Sequence, residues 1–364
     1  MATFGSRNPL NSTSPQSSLR KAAAEAPVEF VDPQLPAKFE SLLIGQPGVA
    51  QKILPFVQMY QSGLCPEGRP AGVFLLLGPT GTGKTRTVEA LAECLHGSSK
   101  NYLRVDCGEF QMEHEVAKLV GSPPGYLGHR ETQPLLSNAR LQSTTSERSQ
   151  LSILLFDEIE KAAGSLVRML LGVLDRGILR LGDNSLANFE NTIIFMTSNL
   201  GAEAMQKELV PKLGFQAIQA KSNPESASEI TPKLESIAMA SARKKFSPEF
   251  MNRIDAVHTY LPLDEKAMTQ ILDLQVAAIQ RHIITKLGAN AFRLRLTPRL
   301  RRFLLERGVS REYGARELKR TLQRYVLQPL AAVVTSGKAT PGSCLLLDIQ
   351  GEDRIQVRKR QAAD

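Results

Sequence analysis

The segment VFLLLGPTGTGKT, from Val73 to Thr85, constrains the fold more than any other stretch of the chain. A continuous apolar run meets a glycine-rich turn, and the helical texture of TRTVEALAECLHG follows at once. An apolar run without alternation suits a strand buried on both faces, as in a parallel sheet covered by helices. Further runs of this kind are YLRVD from Tyr102, SILLFDE from Ser152 and NTIIFMTSN from Asn191, with a weaker one, AVHTYLPL, from Ala256. Helical patterns such as VRMLLGVLDRG from Val167 separate most of them. Alternating strands and helices predict an α/β domain, a parallel sheet flanked by helices, over about 31–262.

Beyond Pro262 the texture changes. DEKAMTQILDLQVAAIQRHIITKLG has helical periodicity between an Asp at its start and a Gly at its end. FRLRLTPRLRRFLLERG reads as a short strand and then a helix beginning after Thr297-Pro298. A further helix is expected over about Ala315 to Val334, and CLLLDIQGEDRIQVR reads as a closing hairpin. Together these predict a small α+β C-terminal domain, 263–364. Residues 1–30, rich in Ser, Asn and Pro, hold too little apolar surface to offset the entropy of ordering and are expected to form a disordered tail. QAIQAKSNPESASEITPK, from Gln216 to Lys233, is polar and rich in breakers, which predicts a mobile excursion.

Composition narrows the function classes. Hydrophobic residues make up 42% of the 364, enough for a substantial core, yet no apolar run approaches the roughly 20 residues of a membrane helix. The four cysteines show no metal or disulfide spacing, and a reducing, cytoplasmic setting is expected. The net charge of +9 is spread over a long chain and reads as a solvated basic surface, although arginines are dense between Arg293 and Arg324.

The glycine-rich turn satisfies G-x-x-x-x-G-K-[ST] through Gly78, Pro79, Thr80, Gly81, Thr82, Gly83, Lys84 and Thr85. Glycines let backbone N–H groups turn around phosphate oxygens, and a helix N-terminus adds positive potential. Lys84 is then placed for the β- and γ-phosphates and Thr85 for Mg²⁺. ILLFDEIEK supplies the other half, with Asp157 and Glu158 ending a buried strand where unpaired carboxylates are costly. Asp157 suits Mg²⁺ through its water shell, and Glu158 suits a general base on the attacking water. ATP hydrolysis is the expected chemistry, with ATP and Mg²⁺ as its requirements. Asn199, ending IIFMTSN, can orient a water beside the γ-phosphate. Arg253 in FSPEFMNRID and Arg316 in YGARELKR are unremarkable in isolation.

The motifs taken in order resemble the AAA+ module of Clp-type protein unfoldases, most closely the second ATPase module of the two-ring Clp chaperones. The likeness runs from LLIGQPGVAQKIL at Leu42 to GARELKRTLQRYVLQPLA ending at Ala331, through DEIEKA, TSNLGA, FSPEFMNRID and YGARELKR. It implies an AAA+ P-loop fold in which Leu43 and Ile44 line an adenine pocket, Asn199 is a first sensor and Arg316 a second. It makes Arg253 an arginine finger inserted into a neighbouring subunit's site, which implies a homo-hexameric ring. GYLG becomes an axial pore loop with Tyr126 and Leu127 gripping extended polypeptide; without the resemblance Tyr126 reads as an ordinary loop aromatic. The pore segment departs from the family by continuing as HRETQ, placing His129 and Arg130 there, and the ARLQSTTSERSQ segment is longer than usual. With no room for a first ATPase ring, a single-ring machine is expected. Leu213-Gly214-Phe215 matches the place where Clp unfoldases that dock on a barrel peptidase carry an apolar-Gly-apolar loop; those side chains either insert into such a peptidase or pack on their own domain. The alternative to a protein unfoldase is an AAA+ motor acting on nucleic acid, of helicase-loader or branch-migration type.

Overall fold

The computed structural model describes residues 33–121, 134–209, 225–308, 314–351 and 353–360. In chain order, α1 (Leu35–Leu42) and α2 (Val49–Gln61) precede β1 (Gly72–Leu77) and α3 (Lys84–His96). β2 (Leu103–Asp106), the short α4 (Ala117–Val120) and α5 (Asn138–Gln142) lead to β3 (Ser152–Asp157) and α6 (Gly164–Arg176). A hairpin of β4 (Ile178–Arg180) and β5 (Leu186–Asn188) is followed by β6 (Thr192–Ser198), α7 (Ala202–Leu209) and α8 (Glu225–Lys245). α9 (Pro248–Asn252) and β7 (Ala256–Thr259) end this part. The strands that sequence patterning places are all present, in one parallel sheet of order β2-β3-β6-β1-β7.

Burial explains the unbroken apolar runs. Val73, Leu75 and Leu77 of β1 point to one core, shared with α6 and α8, while Phe74 and Leu76 point to the other, shared with α2 and α3. β3 and β6 divide their side chains in the same way, so every position of these strands is buried. Phe74 sits between Phe195, stacked at 5.2 Å, and Phe56, edge-on at 5.2 Å. Each such side chain withdrawn from water contributes about 1.5–3 kcal/mol. Because the strands are parallel, β1, β3 and β6 end at the same edge, where chain reversals place functional side chains together.

The C-terminal part has its own core around Leu272, Leu300, Leu304, Leu318 and Leu347. α10 (Glu265–Leu287) begins with Asp264, whose carboxylate accepts from the Ala267 N–H at 2.7 Å, and ends at Gly288, as expected. β8 (Arg293–Leu296) lies parallel to β9 (Cys344–Gln350), which pairs antiparallel with β10 (Arg354–Arg360). Between them lie α11 (Pro298–Gly308), α12 (Ala315–Leu322) and α13 (Gln328–Thr335).

The structure departs from sequence expectation in three places. The helix expected over Ala315 to Val334 is interrupted by a π-helical turn at Gln323–Leu327, just before Pro329, whose ring and missing N–H prevent the regular hydrogen bond to Tyr325. The excursion expected to reach Lys233 is instead helical from Glu225. Leu234, Ala238, Ala242 and Phe246 recur every four residues and are all buried, so tertiary packing outweighs the breaker signal of Pro232. The β4–β5 hairpin has three-residue strands whose outer positions are exposed, and so leaves almost no periodic signal.

Candidate active site at the strand ends

The turn after β1 is shaped by its glycines. A side chain at Gly78 would lie 2.5 Å from the Tyr260 carbonyl oxygen, and Gly78 itself has φ 138°. Gly83 caps α3 in the left-handed region, so only glycine lets the turn close and the helix start where it does. Behind the turn, the buried Tyr260 hydroxyl hydrogen-bonds the Thr87 hydroxyl at 2.5 Å, fixing α3 against β7.

Lys84 is buried at the base of this turn. Its ammonium donates to the Gly78 carbonyl at 2.7 Å, the Pro79 carbonyl at 2.8 Å and Asn199 Oδ1 at 2.9 Å. These use its three donors. Burial lowers its pKa to about 8, against the attraction of the Glu160, Asp157 and Glu158 carboxylates; the Arg316 guanidinium acts in the same direction as burial.

Asp157 is also buried and is held on both oxygens. The Thr197 hydroxyl donates to Oδ1, and Arg104 forms an ion pair with Oδ2 at 2.6 Å. The same Thr197 hydroxyl accepts from the Glu158 N–H at 3.0 Å. That second bond holds Glu158 at φ 58°, a left-handed conformation costing about 1–3 kcal/mol in a residue other than glycine. The strained turn aims Glu158 at its neighbours: Lys161 Nζ lies 2.6 Å from Oε2, and Asn199 Nδ2 donates to Oε1 at 3.3 Å. Asn199 therefore bridges Lys84 and Glu158. Its own N–H donates to Glu160 Oε1 at 3.0 Å.

Lys84, Asp157, Glu158 and Asn199 thus converge, as their sequence motifs predict. Leu43 and Ile44 line a cavity of about 180 Å³ with Gly81, Thr82 and Leu263, and Ala315 closes it from the C-terminal part. The Ala315 N–H donates to the Gly81 carbonyl at 3.1 Å, which brings α12 against the turn and sets the exposed Arg316 beside it. Arg253 lies elsewhere. It follows α9, which is capped by the Ser247 hydroxyl and anchored by the buried pair Phe246 and Phe250. Its Nε donates to Asp175 at 3.2 Å, and Glu249 lies 3.5 Å from its guanidinium. Tyr126, Leu127, His129, Arg130, Leu213, Gly214 and Phe215 lie outside the described residues.

Sequence reasoning missed Arg104, Thr197 and Glu160, and also Gln46. The Gln46 side chain donates to the Thr82 and Leu261 carbonyls, at 3.1 and 2.8 Å, and accepts from the Leu261 N–H, tying the turn to the chain beyond β7. The polar glutamine beside the glycine and proline of LLIGQPG was the available signal.

The family model of the AAA domain (Cdc48 subfamily) matches residues 69–257, and that of the C-terminal, D2-small domain of ClpB matches residues 263–346. The chain is 37% identical over 313 residues to the chaperone protein ClpB of Bacteroides thetaiotaomicron, covering 86% of this chain and 34% of that protein. It is 33% identical over 310 residues to the negative regulator of genetic competence ClpC/MecB of Bacillus subtilis, covering 85% of this chain and 36% of that protein. It spans about a third of the length of these curated relatives. Among solved structures, it is similar to Hsp104 with ATPγS and FITC casein in a closed state, with a TM-score of 0.74 at 28% identity over 94% of this chain and 55% of that one. The extended Saccharomyces cerevisiae Hsp104–casein complex gives a TM-score of 0.75 at 27% identity, covering 94% of this chain and 56% of that one.

Proposed function

As the chain belongs to the AAA family, with a small domain of the ClpB D2 type after its ATPase domain, we propose that it is an ATPase that assembles into a homo-hexameric ring and unfolds or remodels proteins by threading them through its pore. The observation that carries the ATPase reading is Asn199, which joins the phosphate-binding lysine to the acid beside Asp157 in a single hydrogen-bonded bridge. The reading divides the chain into a tail (1–30), an ATPase domain (31–262) and a lid (263–364).

Each residue has a separate task. Lys84 and the backbone from Gly78 to Thr85 hold the phosphates, while Leu43 and Ile44 face the base across the cavity that Ala315 closes. Thr85 and Asp157 are the residues that would hold Mg²⁺. Their hydroxyl and carboxylate oxygens suit a hard cation that keeps waters, and the described residues contain no cluster of three or more His, Cys, Asp or Glu that would form a closed metal cage. Bound Mg²⁺ supplies neutralisation of charge on the β- and γ-phosphate oxygens. Glu158 accepts the proton of the attacking water, and Asn199 fixes the direction of that carboxylate. Arg316 reads the occupied site from α12. Arg253 stabilises transition-state charge in the neighbouring subunit's site, where a cation in trans acts on the γ-phosphate.

Protein as the substrate is supported by the relatives, since Hsp104 is the protein solved with casein. On this reading Tyr126 and Leu127 grip polypeptide through apolar and stacking contacts. Docking of Leu213-Gly214-Phe215 on a Clp-type peptidase and a cytoplasmic location belong to the same proposal. The test is ATPase rate against protein concentration, with and without casein, for wild type and Tyr126→Ala. A rate that rises with assembly, and with casein only when Tyr126 is present, supports threading. A rate indifferent to casein and raised by DNA overturns it in favour of a nucleic-acid motor.

A further inference from the structure

Glu160 has no task in the mechanism above, yet its carboxylate lies at the centre of the site. It belongs to the tight turn Ile159–Lys161 that follows Glu158. Oε1 accepts from the Asn199 N–H at 3.0 Å, whereas Oε2 is buried with no hydrogen-bond partner among the described residues. Sealing a carboxylate oxygen from water without a partner costs free energy, so turn stability alone does not explain an acid here. Asn199 is the first residue beyond β6, where the sheet no longer fixes the backbone. Its amide plane is held by one bond to Lys84 at 2.9 Å and a long one to Glu158 at 3.3 Å. The Asn199 carbonyl accepts from the Ala202 N–H at 3.1 Å at the start of α7, and the N–H bond to Glu160 ties the other side of its backbone to the turn that carries Glu158.

We propose that Glu160 is a positioning residue for Asn199, anchoring its backbone so that one amide holds Lys84 and Glu158 in register during hydrolysis. The turn that carries Glu158 thereby also sets the sensor on the neighbouring strand. The Asn199 N–H bond to Glu160 adds to the Thr197 and Asn199 side-chain bonds to Glu158 that also join the two elements. This inference rests on the ATPase reading.

The experiment measures steady-state ATPase turnover, KM and thermal midpoint for wild type, Glu160→Gln, Glu160→Met, Asn199→Ala and the double variant Glu160→Met/Asn199→Ala. Gln keeps an acceptor for the Asn199 N–H, and Met keeps the length without one. Displacing a reacting group by about 1 Å can cost about 100-fold, so kcat of Glu160→Met is expected to fall about 10- to 100-fold with KM unchanged. Glu160→Gln is expected to retain kcat, and the double variant to be no slower than Asn199→Ala. Wild type without turnover overturns the ATPase reading and this inference with it. Active wild type overturns the inference alone if Glu160→Met matches it, if Glu160→Gln is as slow as Glu160→Met at an unchanged thermal midpoint, or if the two substitutions multiply. Should Glu160→Met fail to fold, Glu160→Ala takes its place against the same outcomes.

Discussion

The strand-end cluster and the Arg253 surface are held by different kinds of bond. Lys84 and Asp157 are buried, and each is engaged by two or more partners within the cluster. Arg253 is 26% exposed, and its partners Asp175 and Glu249 are 52% and 61% exposed. Exposed ion pairs contribute about 0–1 kcal/mol and exchange readily, whereas buried charged hydrogen bonds are costly to break. The difference fits a division of labour. On the proposed reading, groups acting within their own subunit are set in place by folding, and the arginine proposed for a neighbour's site is held only by weak surface pairs that can release it.

Lys84→Ala gives the largest expected effect, because it removes the proposed phosphate contact and the anchor of Asn199 together. Loss of a single preorganised donor costs about 100- to 1000-fold, so turnover should fall by at least that much, with nucleotide binding weakened as well. Binding of a fluorescent ATP analogue is the check, and unchanged affinity would deny Lys84 its role.

Arg253→Ala should lower turnover of the assembled protein by about 100-fold or more while leaving nucleotide affinity unchanged. Asp175→Ala sharpens the contrast, because a parked arginine loses only a weak partner. Its turnover should stay within about twofold of wild type. Mixing Arg253→Ala with Lys84→Ala protein should restore some activity if the arginine acts in trans, because subunits lacking only Lys84 still offer Arg253 to an intact neighbouring site.

Thr197→Val breaks the cluster more gently. The Glu158 N–H and Asp157 Oδ1 lose their common partner, and leaving buried groups unpaired costs about 1–3 kcal/mol. Urea unfolding measures that loss, and a tenfold or smaller fall in turnover, about 1.4 kcal/mol of lost positioning at most, would accompany it.

The smallest effect on turnover concerns the packing around His258. His258 is buried edge-on to Tyr260, neither ring nitrogen has a hydrogen-bond partner among the described residues, and burial, with a smaller contribution from the nearby Lys52, lowers its pKa to about 4. A folded pKa below the unfolded value means the unfolded chain binds the proton first. Stability is then full above about pH 6.5 and is lost as pH falls toward 4, by up to about 3 kcal/mol. His258→Leu should show a smaller loss between pH 7 and 4 in urea unfolding, and an identical loss would remove His258 as its source.

Much of this site is legible in the chain because its residues are coupled to local pattern. GPTGTGKT, the DE pair and Asn199 each end an apolar strand, and a parallel sheet brings strand ends to one edge. Arg104 and Thr197 were not legible, since their importance arises from pairing across strands. Arg104 lies 53 positions from Asp157, and Thr197 lies 40. The same holds for α8, whose first turns look like linker by composition and become helix only because Leu234, Ala238 and Ala242 have a surface to cover. Local composition reports what a segment tolerates, and tertiary burial decides among the tolerated forms.

The meeting of α12 with the glycine-rich turn is made of main chain on both sides. Ala315 donates to Gly81, and a side chain at Gly314 would come within 2.9 Å of the Gly81 oxygen. Substituting side chains on either segment leaves that bond in existence, so mutational drift at these surfaces preserves the joint as long as the two backbones can approach. The joint is vulnerable instead to thickness. A single methyl group at position 314 forces α12 off its seat on the glycine-rich turn, and does so without changing charge or polarity.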